Sequence, residues 1–255
     1  MLNYRVFGDL QQKPLVVLHG LLGSLENWYT FARNQESQRG ILAIDLRNHG
    51  HSPHAEGMSY REMANDVIEV LDSLYIRECD LMGHSMGGKV AMQLALHYPA
   101  QFSHLIVVDI APKSYPPRHQ ALLQAMLSMP LAELSSRKQA DEWLAPTVKQ
   151  PFERGFLLKN LARHSDGHFY WQCNLSEIVK HYLKISSFPQ QHTQSDLPTL
   201  FIKGGQSDYI SEEDLSLISA YFANAQLEVI PTAGHLPHVQ TPEPFTQLVT
   251  QFLAA

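Results

Sequence analysis

Ser85 lies in Gly83-His84-Ser85-Met86-Gly87, with an apolar run at 79–82 before it and a helix-forming segment at 89–96 after it. This reads as strand, sharp turn and helix. Glycines at 83 and 87 carry no Cβ, so the chain can reverse tightly and leave the serine hydroxyl exposed on a strained backbone. The N-terminus of the following helix would offer backbone N–H groups to an anion forming there. A serine hydroxyl at its free pKa is a poor nucleophile, so it needs a base within hydrogen-bond reach and an acid that orients the base. His235, in Thr232-Ala233-Gly234-His235, is placed to be that base. It stands out among the 14 histidines because its loop follows the last strand-like run and would open on the same sheet edge as Ser85. His84 adjoins the serine, but in so tight a turn it is expected to point away. Two acids occupy comparable loops, Asp109 after the run 104–108 and Asp208 in Gly204-Gly205-Gln206-Ser207-Asp208. Either could orient the histidine, and either could simply cap its loop or enter a helix.

Such residues must be aligned by a sheet. Leu15-Val16-Val17-Leu18, Ile41-Leu42-Ala43-Ile44 and Leu105-Ile106-Val107-Val108 are continuous apolar runs, as expected of strands buried on both faces of a parallel sheet. Residues 199–203 and 227–230 continue the series, and residues 1–9 alternate like a strand. Ser59-Tyr60-Arg61-Glu62 forms a capping box, and Met63, Val67, Val70, Leu71 and Leu74 share one face of the helix it starts. Ser211 with Asp214 opens a later helix, and Thr241-Pro242 reads as an N-cap followed by a first-turn proline. Strands separated by helices and loops imply an α/β fold with a doubly wound, mostly parallel sheet flanked by helices. Between 113 and 196 that rhythm stops. Helix-like pieces at 118–128 and 136–143 stand among prolines and the aromatics Phe152, Phe156, Phe169, Tyr170, Trp171 and Tyr182. The segment reads as a mostly helical insertion, with most of these aromatics as its own core. The expected organisation is a core of 1–112 and 197–255 carrying a cap at 113–196.

At 255 residues, 44% hydrophobic and 17% charged, the chain is long enough for one large domain with a buried core. A formal net charge of −6 and no basic cluster argue against a nucleic-acid surface. Only two cysteines occur, Cys79 and Cys173, which disfavours disulfide stapling and suggests a reducing compartment. The N-terminal residues show no charged segment leading into an apolar one, and no apolar run reaches the ~18 residues a membrane span needs. A cytoplasmic protein with no membrane partner is expected, as monomer or homodimer. No phosphate-cradling loop or dinucleotide fingerprint appears, so no cofactor is expected.

His19-Gly20, Asp45-Leu46-Arg47-Asn48-His49-Gly50-His51-Ser52, Gly83-His84-Ser85-Met86-Gly87-Gly88 and Ala233-Gly234-His235 occur in an order that resembles the α/β-hydrolase superfamily across nearly the whole chain. Together with His19-Gly20-Leu21-Leu22-Gly23-Ser24 and Val108-Asp109-Ile110-Ala111-Pro112, they resemble the YbfF-type bacterial esterases and their mitochondrial relatives. The resemblance implies the α/β-hydrolase fold with a helical lid, and a serine esterase or thioesterase acting on a small acyl ester or thioester. It implies Ser85 as nucleophile, His235 as base, and the backbone amides of Leu21 and Met86 as the oxyanion hole. In most of the superfamily the acid sits where Asp208 does, whereas the YbfF-type match favours Asp109, with Ser207 assisting. His19 is then structural. His49, His51 and His54 belong to a loop of the hydrolase pattern, so no metal is expected. The insertion's apolar residues would select the acyl chain, and Lys113 or Arg118 near the mouth could meet coenzyme A phosphates. C–C bond hydrolases, a menaquinone-pathway lyase and small-ligand receptors share the same pattern and are the competing readings.

Overall fold

Each short aliphatic run becomes a strand, in a computed structural model that describes residues 1–190 and 193–254. The strands are β1 (Tyr4–Phe7), β2 (Leu15–Leu18), β3 (Ile41–Ile44), β4 (Cys79–His84), β5 (Phe102–Val108), β6 (Leu161–Arg163), β7 (Phe169–Trp171), β8 (Thr199–Gly204) and β9 (Ala225–Ile230). Seven form one sheet in the order β1-β3-β2-β4-β5-β8-β9, with only β1 antiparallel to its neighbour. β4 is the central strand. Alternation along β2 shows how both faces are buried. Val16 and Leu18 join an apolar cluster with Val67, Val90 and Leu94, whereas Leu15 and Val17 join one with Trp28, Phe31 and Phe245.

The helices are α1 (Tyr29–Gln35), α2 (Tyr60–Ser73), α3 (Met86–His97), α4 (Gln120–Leu127), α5 (Arg137–Leu144), α6 (Pro151–Leu157), α7 (Leu175–Ser186), α8 (Leu215–Tyr221), α9 (Pro237–Gln240) and α10 (Pro242–Leu253). α2 begins at the capping box of Ser59 and Glu62 and buries Met63, Val67, Val70 and Leu71. Every residue of α3 except His97 is buried, as expected of a helix covered all round. Ser211 and Asp214 form the expected box ahead of α8. Thr241 does stand before α10, but its hydroxyl donates to the carbonyl of Pro237 at 3.0 Å instead of capping the helix. The preceding turn of α9 supplies the nearer acceptor. No described helix is long and apolar enough to cross a membrane.

Residues 113–190 and 193–196 add no strand to the large sheet. They carry α4 to α7 and the β6–β7 hairpin, while residues 191–192 of this segment and Ala255 lie outside the described residues. The hairpin was not among the elements expected of the mostly helical insertion. Its signal was Asp166-Gly167 ahead of three aromatics, with Gly167 at φ +95° in the turn. The aromatics also behave differently from expectation. Phe169 and Tyr182 are buried, but Phe152 is 51% exposed and Phe156 lines a cavity. Aliphatic side chains such as Leu123, Met126, Leu144 and Ile178 fill the segment's interior instead. Hydrogen bonds tie the segment to loops at the carboxyl edge of the sheet: Asn160 Nδ2 donates to the Leu22 carbonyl at 2.6 Å, and Asn174 N to that of Asn48 at 2.9 Å.

Candidate active site

Parallel strands bring their following loops to one edge, and this places Ser85, Asp109, Asp208 and His235 on that edge. β4 and β5 run in register, with His84 opposite Val108, so Ser85 and Asp109 are the next residues on neighbouring strands. Ser85 has φ 51° and ψ −115°, and Asp109 also has φ 51°. Non-glycine residues rarely adopt this conformation, at a cost of about 1–3 kcal/mol each. Neighbouring strands hold both: the Ser85 amide donates to the Val108 carbonyl at 3.0 Å and the Asp109 amide to that of Ile202 at 2.8 Å. Gly83 and Gly87 are required by space. A Cβ on Gly83 would stand 2.2 Å from the Gly87 carbonyl oxygen, and one on Gly87 2.5 Å from that of His19.

His235, in the loop after β9, reaches both residues. Its Nε2 lies 3.1 Å from Ser85 Oγ and its Nδ1 2.7 Å from Asp109 Oδ2. Asp109 is fully buried, and its remaining acceptor sites are taken by the Gly204 amide at 2.9 Å and by the Ser207 hydroxyl. The carboxylate is therefore fixed in place, with one oxygen aimed at the histidine. Because Nδ1–H donates to Asp109, Nε2 carries the lone pair that faces the serine. Asp208, the alternative acid, is not part of this chain of bonds. Its side chain is 73% exposed, and Arg118 Nη1 reaches both of its oxygens at 2.6 and 2.7 Å. That pairing holds the Asp208 carboxyl below its ordinary pKa.

Two side chains support His235 directly. Tyr209 stacks on the imidazole with centroids 3.9 Å apart and planes 15° from parallel. His84 points away from the serine, as its place in the turn implied, and its Nε2–H donates to the His235 carbonyl at 2.7 Å. Burial pushes His84 well below its ordinary pKa, so it stays a neutral donor to that loop. His19 is also satisfied beneath its loop: Nδ1–H donates to the Gly20 carbonyl at 2.8 Å and Nε2 accepts from the Leu46 amide at 3.0 Å. A Cβ on Gly20 would stand 3.3 Å from that of Ser85, so the 20–21 backbone comes directly against the serine. His51 and His54 bond instead to Gln172 of the insertion.

The buried histidines make the fold acid-sensitive. Burial, and secondarily the neighbouring His19, lowers His49 to about 3; burial, and secondarily His235, lowers His238 to about 3. An unfolded histidine titrates near 6.5, so the unfolded state binds more protons throughout the interval between. The contribution is complete above pH ~6.5 and is lost as pH falls toward 3, at about 1.4 kcal/mol per pH unit per histidine. These two alone remove about 4 kcal/mol between pH 7 and 5, a large part of a typical folding margin of ~5–15 kcal/mol. The urea midpoint is expected to fall steeply over that interval with an unchanged m-value, and a flat midpoint would refute the assignment.

Two chambers meet at Ser85. The smaller one, called the inner chamber, is about 50 Å³ and is bordered by Leu21, Met86, Lys89, Tyr115, Arg118 and Tyr182. The outer one, about 240 Å³, is bordered by Leu22, Leu122, Phe156, Leu157, His235 and Leu236. Arg118 and Lys113, the cations proposed for the mouth, are each bound by a carboxylate, Asp208 and Asp214, the latter pair at 2.6 Å. Cys79 and Cys173 are buried free thiols, each pushed up to about 12 by burial.

A serine, a histidine and a buried carboxylate linked in this order by hydrogen bonds are able to support acyl-transfer chemistry. The sequence matches the family described as alpha/beta hydrolase fold over residues 13–242. An sn-1-specific diacylglycerol lipase of Mus musculus is 40% identical over 99% of this chain and 85% of its own length. Esterase YbfF of Escherichia coli is 33% identical over 94% of this chain and 92% of its own. Among solved structures, a marine microorganism esterase superposes with a TM-score of 0.95 at 38% identity, covering 98% of both chains. Sequence and structure together place this chain in the α/β-hydrolase family, as a serine hydrolase among its esterases and lipases.

Proposed function

We propose that the protein hydrolyses carboxylic esters of short acyl groups through an acyl-Ser85 intermediate, with His235 as general base and acid and Asp109 as its orienting carboxylate. The chain of contacts from Asp109 through His235 to Ser85 carries this reading. Ser85 Oγ attacks the carbonyl carbon as Nε2 takes its proton, and the Leu21 and Met86 amides receive the oxyanion. Collapse breaks the bond to the leaving alkoxide, which takes the proton from His235. Water then repeats the sequence on the acyl-enzyme and releases the acid. A thiolate could leave by the same route, but the pairing of Arg118 and Lys113 with carboxylates gives no support to a coenzyme A carrier.

The two chambers support separate places for the halves of the substrate. His235 must protonate the leaving group, so that group belongs in the outer chamber, which His235 borders. The acyl group then belongs in the inner chamber, beside Met86. At 50 Å³ this space holds only about four water-sized atoms. In this reading residues 113–196 act as a lid over the core formed by 1–112 and 197–255, since Tyr115, His119, Phe156 and Tyr182 border the chambers. A nitrophenyl ester series is expected to peak at acetate to butyrate and to fall at least tenfold by octanoate, as overpacking costs about 1–3 kcal/mol. A peak at long chains would overturn the acyl assignment, and no turnover at any length would overturn the esterase reading.

A further inference from the structure

The inner chamber ends on a cation. Lys89 lies in the first turn of α3, four residues after Ser85; both border the chamber, and the lysine is only 2% exposed. Two of its three N–H groups are accounted for, by the Ser186 carbonyl at 3.0 Å and the Ser187 carbonyl at 2.8 Å. The ring faces of Tyr115 and Tyr60 lie 4.8 and 5.7 Å from Nζ. Among the described residues, no carboxylate comes within 4.0 Å of Nζ. This distinguishes Lys89 from Arg118 and Lys113.

The tyrosines around it have committed their hydroxyls elsewhere. Tyr60 donates to the Ile185 carbonyl, Tyr115 to that of Tyr209, and Tyr182 accepts from the His119 amide. The chamber therefore has polar walls whose groups are largely spent, and a buried ammonium with a donor left over. A buried charge without a counter-ion is costly, and here burial alone pushes Lys89 down to about 7. An anion arriving with the substrate would relieve that cost.

Resting on the esterase reading above, we propose that the inner chamber is an anion subsite in which Lys89 recognises the distal carboxylate of the acyl group, so that the substrates are half esters of short dicarboxylic acids. The ester carbonyl stands at Ser85, the short methylene chain crosses the chamber that Ser85 and Lys89 both border, and the free carboxylate meets Nζ. Hydrolysis releases a dicarboxylic acid and an alcohol, the alcohol leaving through the apolar outer chamber.

The test compares monobutyl succinate with butyl butyrate, which share a leaving group and differ in the acyl terminus, by titrating acid release at constant pH 7. Wild-type protein is expected to favour the half ester by about tenfold or more in kcat/KM, the scale of one hydrogen bond to a charged group. In Lys89→Met the ratio of the two rates is expected to fall to one or below. The ratio is the readout because losing the bonds to Ser186 and Ser187 can shift the cap and slow both substrates together. Turnover of butyl butyrate with no preference for the half ester overturns the subsite and leaves the esterase reading standing. A preference that persists in Lys89→Met overturns the role of Lys89. Turnover of neither ester by folded wild-type protein overturns the esterase reading itself.

Discussion

Ser85→Ala is expected to lower ester turnover about 10⁶-fold while leaving a folded protein, because no other group near the two chambers can replace the hydroxyl as nucleophile. Alanine keeps the Cβ, so the turn packs as before, and the strain at φ 51° is present in both proteins. What disappears is the single hydrogen bond to His235 Nε2 and the atom that would carry the acyl group. The Leu21 and Met86 amides proposed to receive the oxyanion remain, as do both chambers, so binding is expected to survive and the loss should fall on kcat. The check is a pair of measurements: steady-state rates on a nitrophenyl butyrate ester, and intact mass after incubation with an alkyl fluorophosphonate. Wild-type protein should gain one adduct on Ser85, and the variant none. A variant that retains a tenth of the activity would mean that water is activated directly and no acyl-serine forms.

Much of the architecture could be read from local pattern. Continuous aliphatic runs such as 15–18 and 41–44 can be satisfied only between two helical layers, and these became the interior strands β2 and β3. The glycines flanking Ser85 gave the turn because no other residue fits 2.2 Å from a carbonyl oxygen. Where the sequence fell short, the deciding contacts were long-range. Asp109 and Asp208 both follow strands, and nothing local shows that one turns inward at φ 51° while the other meets Arg118 in solvent. Tyr209 supports His235 from the loop after β8 and His84 from the end of β4, without any local spacing that could reveal it. Lys89 directly follows Gly87-Gly88 of the Ser85 turn, yet its burial depends on α7 closing over it. The hairpin at 161–171 was missed because a three-residue strand is too short to show a period.

The choice of acid carries the other large effect. Asp109→Asn is expected to reduce kcat about 10⁴-fold, whereas Asp208→Asn should stay within about threefold of wild type. The asymmetry follows from the hydrogen bonds around each carboxylate. Asp109 Oδ1 accepts from the Gly204 amide, so an asparagine would place its carbonyl oxygen there and its NH₂ toward His235 and Ser207. That NH₂ would donate to Nδ1 and force the proton onto Nε2, leaving the imidazole unable to accept from Ser85. The imidazolium formed during the attack would also lose its buried counter-charge. Asp208 faces no such demand: it is largely exposed, and its pairing with Arg118 is a surface contact worth at most about 1 kcal/mol. Measuring kcat for both variants on one short ester, with thermal melts to exclude unfolding, decides the matter. Comparable losses would show that the two acids share the role, and a larger loss in Asp208→Asn would mean that the loop after β8 rearranges to present its aspartate during turnover.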